Sequence, residues 1–205
     1  MPISDCDVRD PRIRRTRQLL QGALAQLLAT KPFDDISVQD ITDAATVNRA
    51  TFYDHYTDKF ALLEAIIAGG FHKMLHERSV SYDGTCPSAA GVIILAACDY
   101  LANLRAAQAG CQERRINVEA LEDGAMIAAI RRVLADGMAK HTSIPEERQT
   151  MQAAAVSWAI YGAIKEWLKM PDRPPAEAIV PEIVALVTPL LWSASEDPLS
   201  VTASR

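Results

Sequence analysis

Between Ser37 and Tyr56 the chain has room for two short helices and little else. Apolar Val38, Ile41 and Ala45 fall on one face at helical spacing. Ser37 is followed three residues later by Asp40, a capping-box pattern with Asp in place of Glu or Gln. Together these predict a helix over Val38–Ala45. Thr46 and Val47 leave space only for a tight turn. Asn48 is a favourable N-cap for a second short helix, Arg49–His55. Upstream, Leu19, Leu20, Ala23, Leu24, Leu27 and Leu28 line one face of a longer helix, from Arg12 to about Thr30. Lys31-Pro32 stops it, because the residue before a proline is pushed out of helical conformation. A long helix followed by two short ones across a three- or four-residue turn is the helix-turn-helix pattern, whose second short helix lies in the DNA major groove.

That pattern accounts for the crowding of large side chains in TVNRATFYDHYTDK, residues 46–59. A helix that enters a groove needs side chains that reach outwards. Arg49, Thr51, Tyr53 and His55 are placed to approach base edges or phosphates, while Phe52 and Tyr56 anchor the helix to its own domain. Lys59, opening the next helix, is expected to hold a phosphate. The whole expected DNA surface comprises Ser37, Val38, Gln39, Asn48, Arg49, Ala50, Thr51, Tyr53, His55, Tyr56 and Lys59. Asp54 is acidic; it either accepts from a cytosine amino group or stays off the DNA.

The run FDDISVQDITDAATVNRATFYDHYTDKFALLEAI resembles the DNA-binding domain of the tetracycline-repressor (TetR) family. Ile41, Ala45, Val47, Thr51, Tyr53, His55, Tyr56, Lys59, Leu62 and Leu63 stand at positions of that family's pattern, and the match covers about 60 residues. Tyr56 replaces the usual Phe, and Asn48 the usual Ser or Thr. Thr46 replaces the turn glycine, and a β-branched residue tolerates a left-handed turn poorly. The resemblance implies an all-α fold with an N-terminal three-helix DNA-binding domain, residues 10–57, and a larger helical effector-binding and dimerisation domain, residues 58–195. It implies a homodimer on a palindromic double-stranded DNA operator, released by a small-molecule effector and most simply a repressor. The rival reading is a helical small-molecule-binding or scaffold protein that has lost DNA reading.

The charge balance allows only a focused DNA surface. Net charge is −5 over 205 residues, and residues 1–60 hold eight Lys/Arg against nine Asp/Glu. Residues 9–17, however, carry five Arg against one Asp. Cys6, Cys86, Cys98 and Cys111 show neither a CxxC pair nor zinc-ligand spacing, which fits reduced thiols in a cytoplasmic protein. No apolar leader is read at the N-terminus. Ala89–Cys98 is the longest strongly apolar stretch and is too short to span a bilayer, so no membrane partner is expected. There is no Gly-rich phosphate loop, HExxH or GxSxG. No enzyme activity, cofactor or metal is expected, although His72 and His76 have a spacing that metal sites use.

Beyond residue 57, apolar periodicity predicts helices from Thr57 to near Arg78, from Pro87 to near Ala107, and over Met126–Lys140. A long helix follows from about Ile144 to Lys169, opened by a capping box at Ser143–Glu146. A last helix covers about Ala176–Trp192, which Pro181 should kink or restart. The two termini read as disordered arms. Ala153, Ala154, Ala155, Ser157, Ala159, Gly162 and Ala163 permit close helix approach in the long helix. Ala155, Ala159, Gly162, Ala163 and Trp167, with Ile183, Leu186, Val187 and Leu190, are therefore the expected dimer interface. An apolar effector pocket is expected from Phe71, Met74, Tyr100, Leu104, Met126, Ile130, Trp158 and Tyr161. Asp99, the one carboxylate in its apolar stretch, either bonds a pocket group or marks an exposed side.

Overall fold

A computed structural model describes residues 10–80, 82, 87–108, 116–141 and 145–192. The described residues form eight α-helices and one short 3-10 turn, with no strand among them. The helices are α1 (Pro11–Leu28), α2 (Val38–Ala45), α3 (Arg49–His55), α4 (Lys59–Glu77), α5 (Pro87–Gln108), α6 (Ile116–His141), α7 (Glu146–Lys169) and α8 (Ala176–Trp192). The 3-10 turn spans Phe33–Asp35. They make two compact units. One draws on residues 1–73 and 105–126, the other on 74–104 and 127–205. The helix α4 is continuous across residues 73 and 74, where the division falls.

In the first unit, α1 packs on α2 and α3 around a shared apolar centre. Leu20, Leu24, Phe33, Ile36, Ile41, Phe52 and Leu62 are all buried. Each helix start is held locally. Asp10 accepts from the Arg12 amide at 2.8 Å and opens α1 with Pro11 in its first turn. The capping box at Ser37 is present in full: the Ser37 hydroxyl accepts from the Asp40 amide at 3.1 Å, and Asp40 accepts from the Ser37 amide at 2.7 Å. Thr46 ends α2 in the left-handed region, at φ 56° and ψ 43°, where the usual residue is glycine.

The second unit buries Ile93, Ile94, Ala96, Ala97 and Cys98 of α5 against neighbouring helices. The stretch Ala89–Ala106 is, by length and composition, apolar enough to cross a membrane, with a mean hydropathy of 1.4. Within it 39% is buried, including Ile93, Ile94, Ala96, Ala97 and Cys98. Gly91 lets α5 approach α8, since a Cβ there would touch Val184 at 3.5 Å and Val180 at 3.6 Å. Gly137 lies against the ring and carbonyl of Tyr82, with no room for a side chain.

One helix start is corrected and two expectations are narrowed. The helix α6 begins at Ile116 rather than Met126: Gly124 lies within it, at the modest cost of about 1 kcal/mol that an interior glycine carries. The N-cap position of α7 is Pro145, without a side-chain cap; Ser143, expected to open that helix, lies outside the described residues. The helix α8 continues through both Pro181 and Pro189 as one element, so it does not restart at Pro181. The two terminal arms, Arg9 and Cys6, Cys86 and Cys111 also lie outside the described residues.

Candidate nucleic-acid interface

Asn48 opens α3 by accepting from the Thr51 amide at 2.8 Å and the Thr51 hydroxyl at 3.0 Å. This satisfies an orphan donor of the first turn. Phe52 fixes the rotation of the helix, because it is fully buried. Arg49, Ala50, Tyr53 and Asp54 are thereby turned outward, and Tyr53 is 47% exposed. Tyr53 meets Phe52 edge to face at 5.4 Å. Arg49 Nη2 donates to the Tyr53 hydroxyl at 3.2 Å, and the guanidinium lies 5.6 Å from the ring centre. On α2, Ser37 and Gln39 are exposed and Val38 is half-buried. Gln39 Nε2 donates to Asp43 Oδ1 at 2.7 Å. Ahead of them, Arg12, Arg14 and Arg15 are exposed on the first turns of α1.

Two expected DNA contacts are redirected. Tyr56 is buried, and its hydroxyl accepts from Gln21 Nε2 at 3.1 Å while Arg17 lies 5.4 Å from its ring centre. It packs α3 against α1 and does not present itself to DNA. Lys59 does not face outward as a phosphate ligand either. Its ammonium donates to the carbonyls of Phe33, Asp34 and Ile36 at 2.9, 3.1 and 2.7 Å. Three donors meet three acceptors, the full capacity of an ammonium. Its stem and charge also lie near the rings of Phe33 and Phe60, 4.8 and 5.7 Å from their centres. Lys59 therefore ties the start of α4 to the turn that precedes α2.

His55 is half-buried. Burial, and then the Arg17 charge, push its pKa below the ordinary value, against a weaker opposing pull from Asp54. It is thus neutral at pH 7 and offers a hydrogen bond rather than a charge. Asp40 is held well below the usual carboxylate range by the Ser37 hydroxyl and amide and then by Lys31, whose ammonium is 3.0 Å away.

A match to a family model follows this geometry: residues 20–66 fit the bacterial regulatory proteins of the tetR family. Residues 20–66 thus form a DNA-binding region of the TetR type. Over 59 residues, 28% of this chain, it is 46% identical to the uncharacterized HTH-type transcriptional regulator YxbF of Bacillus subtilis (strain 168). That stretch spans only 16% of YxbF. Among solved structures, a TetR transcriptional regulator from Streptococcus agalactiae 2603V shares the fold over 89% of this chain and 98% of its own, with a TM-score of 0.50 and 19% identity. The described residues are all-helical, and residues 20–66 hold a helix-turn-helix of the tetR type.

In the second unit, the helix α7 has a clear inner face of Ala153, Val156, Ser157, Ile160, Tyr161, Ile164, Trp167 and Leu168. Trp158 falls on the opposite side and is 65% exposed, so it does not line an interior pocket. Ala155 and Gly162 are exposed beside it, and Ala159 and Ala163 are half-buried. Trp167, Ile183 and Val187, expected at a subunit interface, are buried within their own chain. The Trp167 indole donates to the Pro174 carbonyl at 2.9 Å and pins the α7–α8 connection. Leu186 is 69% exposed, and Leu190 is also exposed. Of the remaining expected pocket residues, Phe71, Met126, Ile130 and Tyr161 are buried, and Met74, Tyr100 and Leu104 are half-buried. Phe71 and Met126 belong to the first unit and the others to the second. Asp99 accepts from Arg78 at 2.6 Å, an ion pair between the end of α4 and α5. Cys98 is buried, and burial followed by the Asp99 charge raises its thiol to about 12, which leaves it unreactive at neutral pH. Among the described residues no cluster of three or more His, Cys, Asp or Glu is placed to hold a metal ion.

Proposed function

We propose that the protein is a cytoplasmic, homodimeric repressor that binds a palindromic operator through α3 and is released by a small, largely apolar effector. The observation that carries this reading is α3 itself. A capped seven-residue helix rests on a buried Phe52 and turns Arg49, Ala50 and Tyr53 outward. Residues 10–57 form the reading head and residues 58–195 serve effector binding and dimerisation. Two copies of α3 would then enter successive major grooves about one DNA turn apart.

The exposed faces of α7 and α8 support the dimer. Met151, Trp158, Leu186 and Leu190, with Ala155 and Gly162, leave large apolar side chains in water, an arrangement that a partner subunit would cover. Within the second unit, Met74, Tyr100, Leu104, Ile130 and Tyr161 are the residues we assign to the effector site. Bound effector would tilt α4, which opens directly after the reading head and runs across the division between the units, and so lower operator affinity. That coupling requires the effector to bind the two states differently.

Selection of duplexes from a random pool tests the DNA reading and its symmetry together. Enrichment of a palindrome by the full chain is expected. If no duplex is enriched, the DNA-reading assignment fails, and the rival of a helical binding or scaffold protein takes its place.

A further inference from the structure

Resting on α3 as the DNA-recognition helix, we propose that Arg49 sets operator sequence by reading one guanine in each half-site. Arg49 is the first residue of α3, and the N-terminal residues of a recognition helix approach base edges most closely. Its guanidinium is already positioned. Buried Phe52 holds the edge of Tyr53, and Tyr53 holds Arg49 through its ring face and its hydroxyl. A long side chain that would otherwise lose rotamer freedom on binding is thus partly ordered beforehand.

The neighbouring polar side chains are committed elsewhere. Asn48 Oδ1 accepts twice from Thr51, which uses the Thr51 hydroxyl's one donor. A bidentate contact from Asn to adenine needs its carbonyl oxygen, so it would require opening the helix cap. Gln39 Nε2 is bonded to Asp43. Ala50 has no polar group. Arg49 makes one side-chain hydrogen bond, through Nη2, while a guanidinium has five N–H donors. It has no acceptor. Guanine is the base that offers two acceptors, N7 and O6, in the major groove; adenine pairs its N7 with a donor. The chemistry therefore matches guanine.

The experiment is random-pool selection with the full-length wild type, Arg49→Ala, Arg49→Lys and Tyr53→Phe. These side chains are exposed, so thermal melts of the variants should match wild type. Wild type is expected to enrich a palindrome with an invariant G at one position of each half-site. Arg49→Ala should enrich the same palindrome with that position randomised, and should bind the wild-type site roughly 5- to 150-fold more weakly for each of the two half-site contacts it loses, the range for one bidentate base contact. Tyr53→Phe, which keeps the ring but removes the hydroxyl, should weaken the G preference without abolishing it. If Arg49→Ala binds all duplexes more weakly but keeps the same base preference at every position, Arg49 touches phosphate and the proposal is overturned. If wild type selects no sequence at all, the DNA-reading assignment fails as well, and that outcome is distinct from the first.

Discussion

Lys59→Met removes the ammonium that joins α4 to the turn before α2 while keeping an unbranched apolar stem beside Phe33 and Phe60. Three carbonyls lose a charged donor at 2.7–3.1 Å. Hydrogen bonds to a charged group contribute about 1.5–3 kcal/mol each, but here they share one ammonium, so the contributions do not sum. The Phe33 carbonyl keeps the Ile36 amide, at 3.1 Å. The Asp34 carbonyl belongs to an exposed residue and can turn to water. The Ile36 carbonyl belongs to a buried residue, and leaving it unmet costs about 1–3 kcal/mol. A net loss of about 2–4 kcal/mol is therefore expected, read as a shift of the urea unfolding midpoint. The second measurement is the salt dependence of operator binding. A phosphate ligand lowers the slope of log K against log salt by roughly one when it is removed. With the ammonium turned inward, the slope should stay at its wild-type value. A variant of unchanged stability whose slope falls by about one would refute the inward placement.

Thr46→Gly should stabilise the protein by about 1 kcal/mol, because it relieves a left-handed β-branched residue, partly offset by the greater freedom of glycine in the unfolded chain; a lower melting temperature would count against that strain. Asp40 has a folded pKa below its unfolded one, so its contribution is present above about pH 4 and is lost as the pH falls through the folded value. Asp40→Asn should flatten the acid limb of a stability–pH profile, and an unchanged limb would mean that the capping box and Lys31 do not hold the charge. Trp158→Glu places a charge on the exposed face of α7 and should shift sedimentation towards monomer with the helical content intact; an unshifted dimer would place the interface elsewhere.

The parts of the site that were legible in the sequence are those decided within four residues. Ser37 with Asp40, and Asn48 with Thr51, close their hydrogen bonds inside one turn, so residue type and spacing suffice to find both caps. Thr46 was legible for the same reason, as a β-branched residue in a place that needs positive φ. Lys59 was not. Its acceptors are backbone carbonyls 23 to 26 residues upstream, and nothing in a sequence marks which way a carbonyl points. A lysine at a helix start was therefore read as a phosphate ligand, when its three donors are used to assemble the domain.

The helix α7 shows a different limit. Periodicity separates its residues into faces, yet a helix apolar on most sides does not say which face the chain covers for itself. Aromatic character makes Trp158 a pocket candidate but does not set the side on which it lies. The inner seam is instead set by Val156, Ile160 and Ile164 with Tyr161, Trp167 and Leu168, and this turns Trp158 outward beside Ala155 and Gly162. Small residues on the exposed face would then leave room for a second helix to approach around the indole. Trp167, Ile183 and Val187 fill the core of their own subunit, so the apolar surface left for a partner is the smaller set of Trp158, Met151, Leu186 and Leu190. Truncating the first set should lower monomer stability, whereas truncating the second should lower association and leave the fold intact.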